Sequence, residues 1–63
     1  MSLIQTIKDA HFNVLGYIYD EGDKLVIKDN HYNLKGYYFK RDDVTKDAHF
    51  NLVGYGNLLT TLL

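Results

Sequence analysis

Apolar and polar residues alternate with the period of strands in three stretches of this chain, and the same polar phrase splits each stretch. β-Prone residues lead in at 4–7, 25–27 and 44–45, and aromatic-rich returns follow at 14–19, 34–39 and 52–55. Side chains two apart share a face of a strand. The returns then predict Val14, Gly16 and Ile18 on one face, against Leu15, Tyr17 and Tyr19 on the other. Leu34, Gly36 and Tyr38 oppose Lys35, Tyr37 and Phe39, and Leu52 and Gly54 oppose Val53 and Tyr55. No helical spacing of apolar residues runs through these stretches, and a mid-helix glycine would cost about 1 kcal/mol.

The phrase between lead-in and return is Lys-Asp-x-His-(Phe or Tyr)-Asn-x-x-Gly-Tyr. It begins at Lys8, Lys28 and Lys46, at offsets of 20 and 18 residues, and six of its positions are identical in all three copies. A short internal period of this kind points to a repeat architecture, one hairpin per copy. Asp9, Asp29 and Asp47 can each accept the backbone N–H two residues on. Asn13, Asn33 and Asn51 tolerate left-handed backbone better than most residues. The expectation is a four-residue loop closing on a left-handed Asn. Polar turns at 20–23 and 40–43 join the hairpins, with Gly22 supplying a positive φ in the first and Asp42 or Asp43 taking the strained place in the second. The repeated glycine leaves a gap at one depth of each hairpin, to be filled by crowded backbones or a covering ring. The tyrosine after it is expected to pair across strands on the opposite face.

The end of the chain changes period. Leu58, Leu59, Leu62 and Leu63 share one helical face, and Asn57 is placed to cap it. So short a helix does not hold alone in water. The tail must pack on its own sheet or on another subunit, and the second is preferred here. The whole reads as one all-β domain, 1–63: a pseudo-symmetric meander of three antiparallel hairpins at about 4–20, 24–40 and 43–56, then an apolar tail at 57–63 with a possible helical turn.

Sixty-three residues bury only about 60% of the unfolded surface, so a staple is expected. There is no cysteine to form a disulfide, which leaves a metal, self-association or packing alone. The formal net charge of -1 argues against a nucleic-acid partner. No apolar run is long enough for a membrane helix. The start of the sequence lacks the features of a signal peptide, and the default expectation is the cytoplasm.

The hairpins resemble the β-flower repeat proteins, small bacterial proteins of four-fold or five-fold form. Asp9, Asp29 and Asp47 match that pattern's strand-ending Asp. Gly16, Gly36 and Gly54 match its glycine, and Tyr17, Tyr37 and Tyr55 its aromatic, over roughly residues 4–56. The turn glycine of the family is replaced here by His-(Phe or Tyr)-Asn. With three copies present, a further petal would come from the termini or from a partner chain. The resemblance implies a β-repeat module without assigned catalytic residues.

His11, His31 and His49 hold one repeat position each, and three imidazoles can bind zinc or a similar metal. Against this, neighbouring hairpin loops stand about two strand spacings, roughly 10 Å, apart. That is too far to share an ion, so the alternative is a histidine that closes its own turn. Asp9, Asp29 and Asp47 could orient the imidazoles, or cap the loops. Ser2 is the only serine, no cysteine nucleophile exists, and neither a phosphate-binding loop nor a zinc-protease motif is present. No enzymatic activity and no cofactor are expected. Tyr17, Tyr37 and Tyr55 are expected to be packed and Tyr19 and Tyr38 exposed, so Tyr19, Tyr38, Leu58, Leu59, Leu62 and Leu63 form the candidate ligand or interaction residues. Lys35, Lys40 and Arg41 flank the apolar window at 36–39 as gatekeepers against edge pairing. The expected function is a non-catalytic structural or protein-interaction module, forming a homo-oligomer. The alternative is a small ligand- or metal-binding protein using the histidine-bearing loops.

Overall fold

The computed structural model describes residues 2–63. Six strands follow in order: β1 (Ser2–Lys8), β2 (Val14–Asp20), β3 (Lys24–Asp29), β4 (Leu34–Phe39), β5 (Val44–Asp47) and β6 (Leu52–Tyr55). A 3-10 turn, η1 (Leu59–Leu62), ends the chain. The strands form one antiparallel sheet in sequence order, so each pairs with its neighbours in the chain and β1 and β6 are the edges. The all-β meander of three hairpins expected from the repeat is what the chain forms.

The two faces of the sheet carry different chemistry. On one, Ile18, Ile27 and Leu59 make the buried core, with Ile7, Leu25, Tyr38 and Leu62 packed against them. On the other, Val26 lies buried between Tyr19 and Tyr37 in register. Each return strand holds one extra residue. Lys8 is opposite Val14 while Ile7 is opposite Gly16. The same skip recurs at Lys28–Leu34 and Ile27–Gly36, and at Lys46–Leu52 and Thr45–Gly54. This bulge reverses the alternation expected for the first two residues of each return, because an inserted residue shifts the pleat by one. Leu15 and Lys35 therefore face the tail, beside Leu62 and Leu63. Leu34 faces the aromatic side, beside Tyr32 and Tyr37.

The repeated glycines make a trough for the tail. A Cβ on Gly16 would overlap the backbone oxygen of Lys28 and stand 2.9 Å from a Leu63 methyl. On Gly36 it would overlap a Leu62 methyl, and on Gly54 it would lie 2.6 Å from a Leu58 methyl. Leucines of the same chain, not a ring or crowded strands alone, thus fill the gap. This corrects the preference for a second subunit over the tail: Leu58, Leu59 and Leu62 are spent on their own sheet, with Leu59 wholly buried.

Gly56, at φ 79°, turns the chain out of β6 and toward that trough. Thr45 fixes the turn. Its buried hydroxyl donates to Gly56 O at 2.7 Å and accepts from Leu58 N–H at 2.9 Å. Asn57 accepts from Leu59 N–H at 3.2 Å, one place ahead of where a helix cap stands.

Candidate functional site

The three repeat loops are nearly superposable in their hydrogen bonding. Asp9 Oδ1 accepts from the N–H of His11 at 2.8 Å and of Asn13 at 3.0 Å, and Oδ2 accepts from Asn13 Nδ2 at 3.2 Å. Asp29 and Asp47 hold their loops the same way. The Asn backbone N–H, with the His N–H close behind, holds these carboxyls below the usual aspartate range.

The left-handed residue is not the Asn. It is the aromatic before it: Phe12 and Tyr32 at φ 64°, and Phe50 at 65°. The loop is one residue shorter than expected, three residues closed by Asp9 N–H to Asn13 O at 3.0 Å and Phe12 N–H to Asp9 O at 3.1 Å. Asp43, at φ 53°, does take the strained place of the second inter-repeat turn.

A bulky residue in left-handed backbone costs about 1–2 kcal/mol, and its neighbours show what offsets it. The Tyr32 ring lies flat on Tyr17 of the preceding repeat, centroids 5.0 Å apart and planes 2° from parallel. Phe50 lies on Tyr37 in the same way, at 4.9 Å and 7°. Such pairs contribute about 0.5–1.5 kcal/mol beyond the area they bury. The repeated lysine also reaches backward. Lys28 Nζ stands 5.4 Å over the ring of Tyr19, and Lys46 Nζ 5.5 Å over Phe39. Each joint between repeats is therefore a two-part clasp: a ring stacked on the Gly-Tyr tyrosine and an ammonium set over the aromatic two residues on. A cleft of about 480 Å³ opens on this face between Tyr32, Leu34, Tyr37 and Phe50, with Lys24 and Lys28 at its rim.

The remaining candidates are distributed elsewhere. His11, His31 and His49 are exposed, one per loop, and use only their backbone N–H groups in the turns. Among the described residues no three His, Cys, Asp or Glu side chains gather to hold a metal. Tyr19 and Tyr38 are not the exposed rings that the pattern suggested. Tyr19 lies under Lys28, and Tyr38 packs on the core while its hydroxyl donates to Asp43 at 2.6 Å. That bond raises the Tyr38 pKa, since it stabilises the neutral phenol beside a carboxylate. The exposed tyrosines among the described residues are instead Tyr55, at 77%, and Tyr32, at 59%. The rings that form the clasp do not stand out as a set in the sequence, because stacking partners lie in different repeats. Their one signal there is the aromatic fixed at the fifth position of every phrase.

No protein-family model matches the chain, and no curated protein or solved structure is significantly similar to it. Among the described residues no helix is long and apolar enough to cross a membrane.

Proposed function

We propose that this chain is a non-catalytic structural or protein-interaction module of hairpin repeats that associates with itself. The observation that supports the reading is the clasp. Each repeat offers a tyrosine on one side and a left-handed aromatic on the other, so a repeat is complementary to another repeat. Recognition between repeats is built into every copy of the phrase, whereas the residues with catalytic or metal-binding chemistry serve turns or stand apart in separate loops. A β-flower kinship and a cytoplasmic setting belong to this proposal.

Light scattering on the purified chain over a wide concentration range tests it. The expected result is a mass that climbs above 7.3 kDa as concentration rises. A mass fixed at the single-chain value throughout would overturn the self-association reading.

A further inference from the structure

The clasp is made twice within the chain, yet the sequence carries three tyrosines and three left-handed rings for it. Tyr17 takes Tyr32 and Tyr37 takes Phe50. Phe12, at the β1 end, and Tyr55, at the β6 end, are the pair left over, 81% and 77% exposed. Phe12 still adopts the left-handed backbone, at φ 64°. It carries the strain of its two counterparts without the stack that offsets theirs. Strain retained where nothing in the chain repays it points to a contact made elsewhere.

The two sheet edges agree with this. Leu3, Ile4 and Phe12 are exposed along and just beyond β1, and Leu52, Val53 and Tyr55 along β6. Both strands have one unpaired side, and such edges readily template further pairing.

We infer that copies of this chain join end to end, β6 of one against β1 of the next, with Phe12 of the second copy stacked on Tyr55 of the first. The inference rests on the self-association just proposed and specifies the surface and register. The internal joints set that register. Gly16 faces Asp29 and Tyr17 faces Lys28, and Gly36 faces Asp47 and Tyr37 faces Lys46. Continued across the joint, Gly54 faces Asp9 of the next copy and Tyr55 faces its Lys8. The new joint is weaker than the internal ones for two stated reasons. Gly56 turns the chain away after Tyr55, so little strand remains to pair. Asn57 stands where Tyr19 and Phe39 stand in the other repeats, so Lys8 finds no ring beneath it. The contact is head-to-tail, and such contacts grow into closed rings or open filaments.

Phe12→Ala removes one half of the joint and Tyr55→Ala the other, and both side chains are exposed in the single chain. Light scattering is measured on each variant alone and on their equimolar mixture, with circular dichroism confirming the sheet. Each variant alone is expected to lose the rise in mass with concentration, its association weakened about tenfold or more. The mixture is expected to reach two copies, about twice 7.3 kDa, and no more. It can do so because the Phe12→Ala chain keeps Tyr55 and the Tyr55→Ala chain keeps Phe12. A symmetric interface that set each ring against its own counterpart, Phe12 on Phe12 or Tyr55 on Tyr55, would not recover on mixing, and any two-fold interface would hold the wild type at two copies. Phe12→Gly, suited to left-handed backbone, replaces the alanine variant if that one loses its sheet. If both variants associate like the wild type, the end-to-end joint is wrong while the module reading stands. A mixture that stays at single-chain mass also overturns the joint. A wild-type chain fixed at single-chain mass removes both.

Discussion

A left-handed aromatic is the residue on which this chain turns, and two substitutions at that position separate its strain from its reward. Phe12 and Phe50 share the same loop, cap and φ, but only Phe50 has a ring to stack on. Phe12→Gly and Phe50→Gly thus remove the same backbone strain and add the same freedom to the unfolded chain. The difference between them isolates the stack. Urea unfolding at low concentration should find Phe12→Gly the more stable variant by about 0.5–1.5 kcal/mol. Equal stabilities would mean the Phe50–Tyr37 stack contributes nothing. Asp9, Asp29 and Asp47 support a second expectation. Their carboxyls are held below the ordinary value by N–H groups that the unfolded chain lacks. Below the ordinary aspartate value of about 3.9 the unfolded state then binds more protons than the folded one. Stability contributed by the caps is complete above that pH and is lost as pH falls through the lower folded values. Thermal melts from pH 6 downward should show a falling midpoint beginning near pH 4, and a chain with Asp29→Asn and Asp47→Asn should show a shallower fall. The cap was legible from the sequence because Asp acts on its own loop. The left-handed aromatic was not, because propensity favours Asn there and the stack that reverses the preference lies a whole repeat away.

At the scale of elements, the hairpins could be read from the phrase, but the bulge and the destination of the tail could not. One extra residue per return leaves hydrophobicity unchanged while moving Leu15 and Lys35 to the other face. The repeated glycine was recognised as a gap, yet its occupant is a segment outside the repeat, so no copy of the phrase carries the information. The three glycines should therefore differ in tolerance. At Gly36 an added methyl meets Leu62 and, at 2.6 Å, the backbone oxygen of Lys46, whereas at Gly54 it meets only a leucine methyl. A side-chain end can move and a paired strand cannot. Gly36→Ala should cost about 1–3 kcal/mol in chemical denaturation, and Gly54→Ala clearly less. Thr45 makes the same point about the tail. Thr45→Val keeps the shape but leaves Leu58 N–H and Gly56 O without their buried partner, at a cost of about 1–3 kcal/mol. Hydrogen exchange should then show the Leu58 amide released. Unchanged protection there would mean the tail is held by its leucines alone.

The whole molecule is small enough for its ends to dominate its behaviour. Few side chains are buried among the described residues: Ile18, Val26, Ile27, Leu59 and Thr45, and a chain of this size buries about 60% of its unfolded surface. Which rings stay open cannot be seen in three nearly identical phrases, since openness belongs to the ends of the sheet and not to any repeat. An end-to-end joint made by the folded chain alone couples its association to its stability. Binding to the folded state at a hundredfold excess over the dissociation constant adds about 2.7 kcal/mol. In a domain of this size each kcal/mol moves the midpoint by roughly 4–8 °C. The melting temperature of the wild type should therefore rise by at least about 10 °C between dilute and strongly associating concentrations, and that of Phe12→Ala should stay nearly level. A mass that climbs while the melting temperature stays flat or falls would carry a different meaning. It would show that unfolded or partly opened chains are the ones associating, through their bare strand edges, and that the ladder of rings ends within each copy.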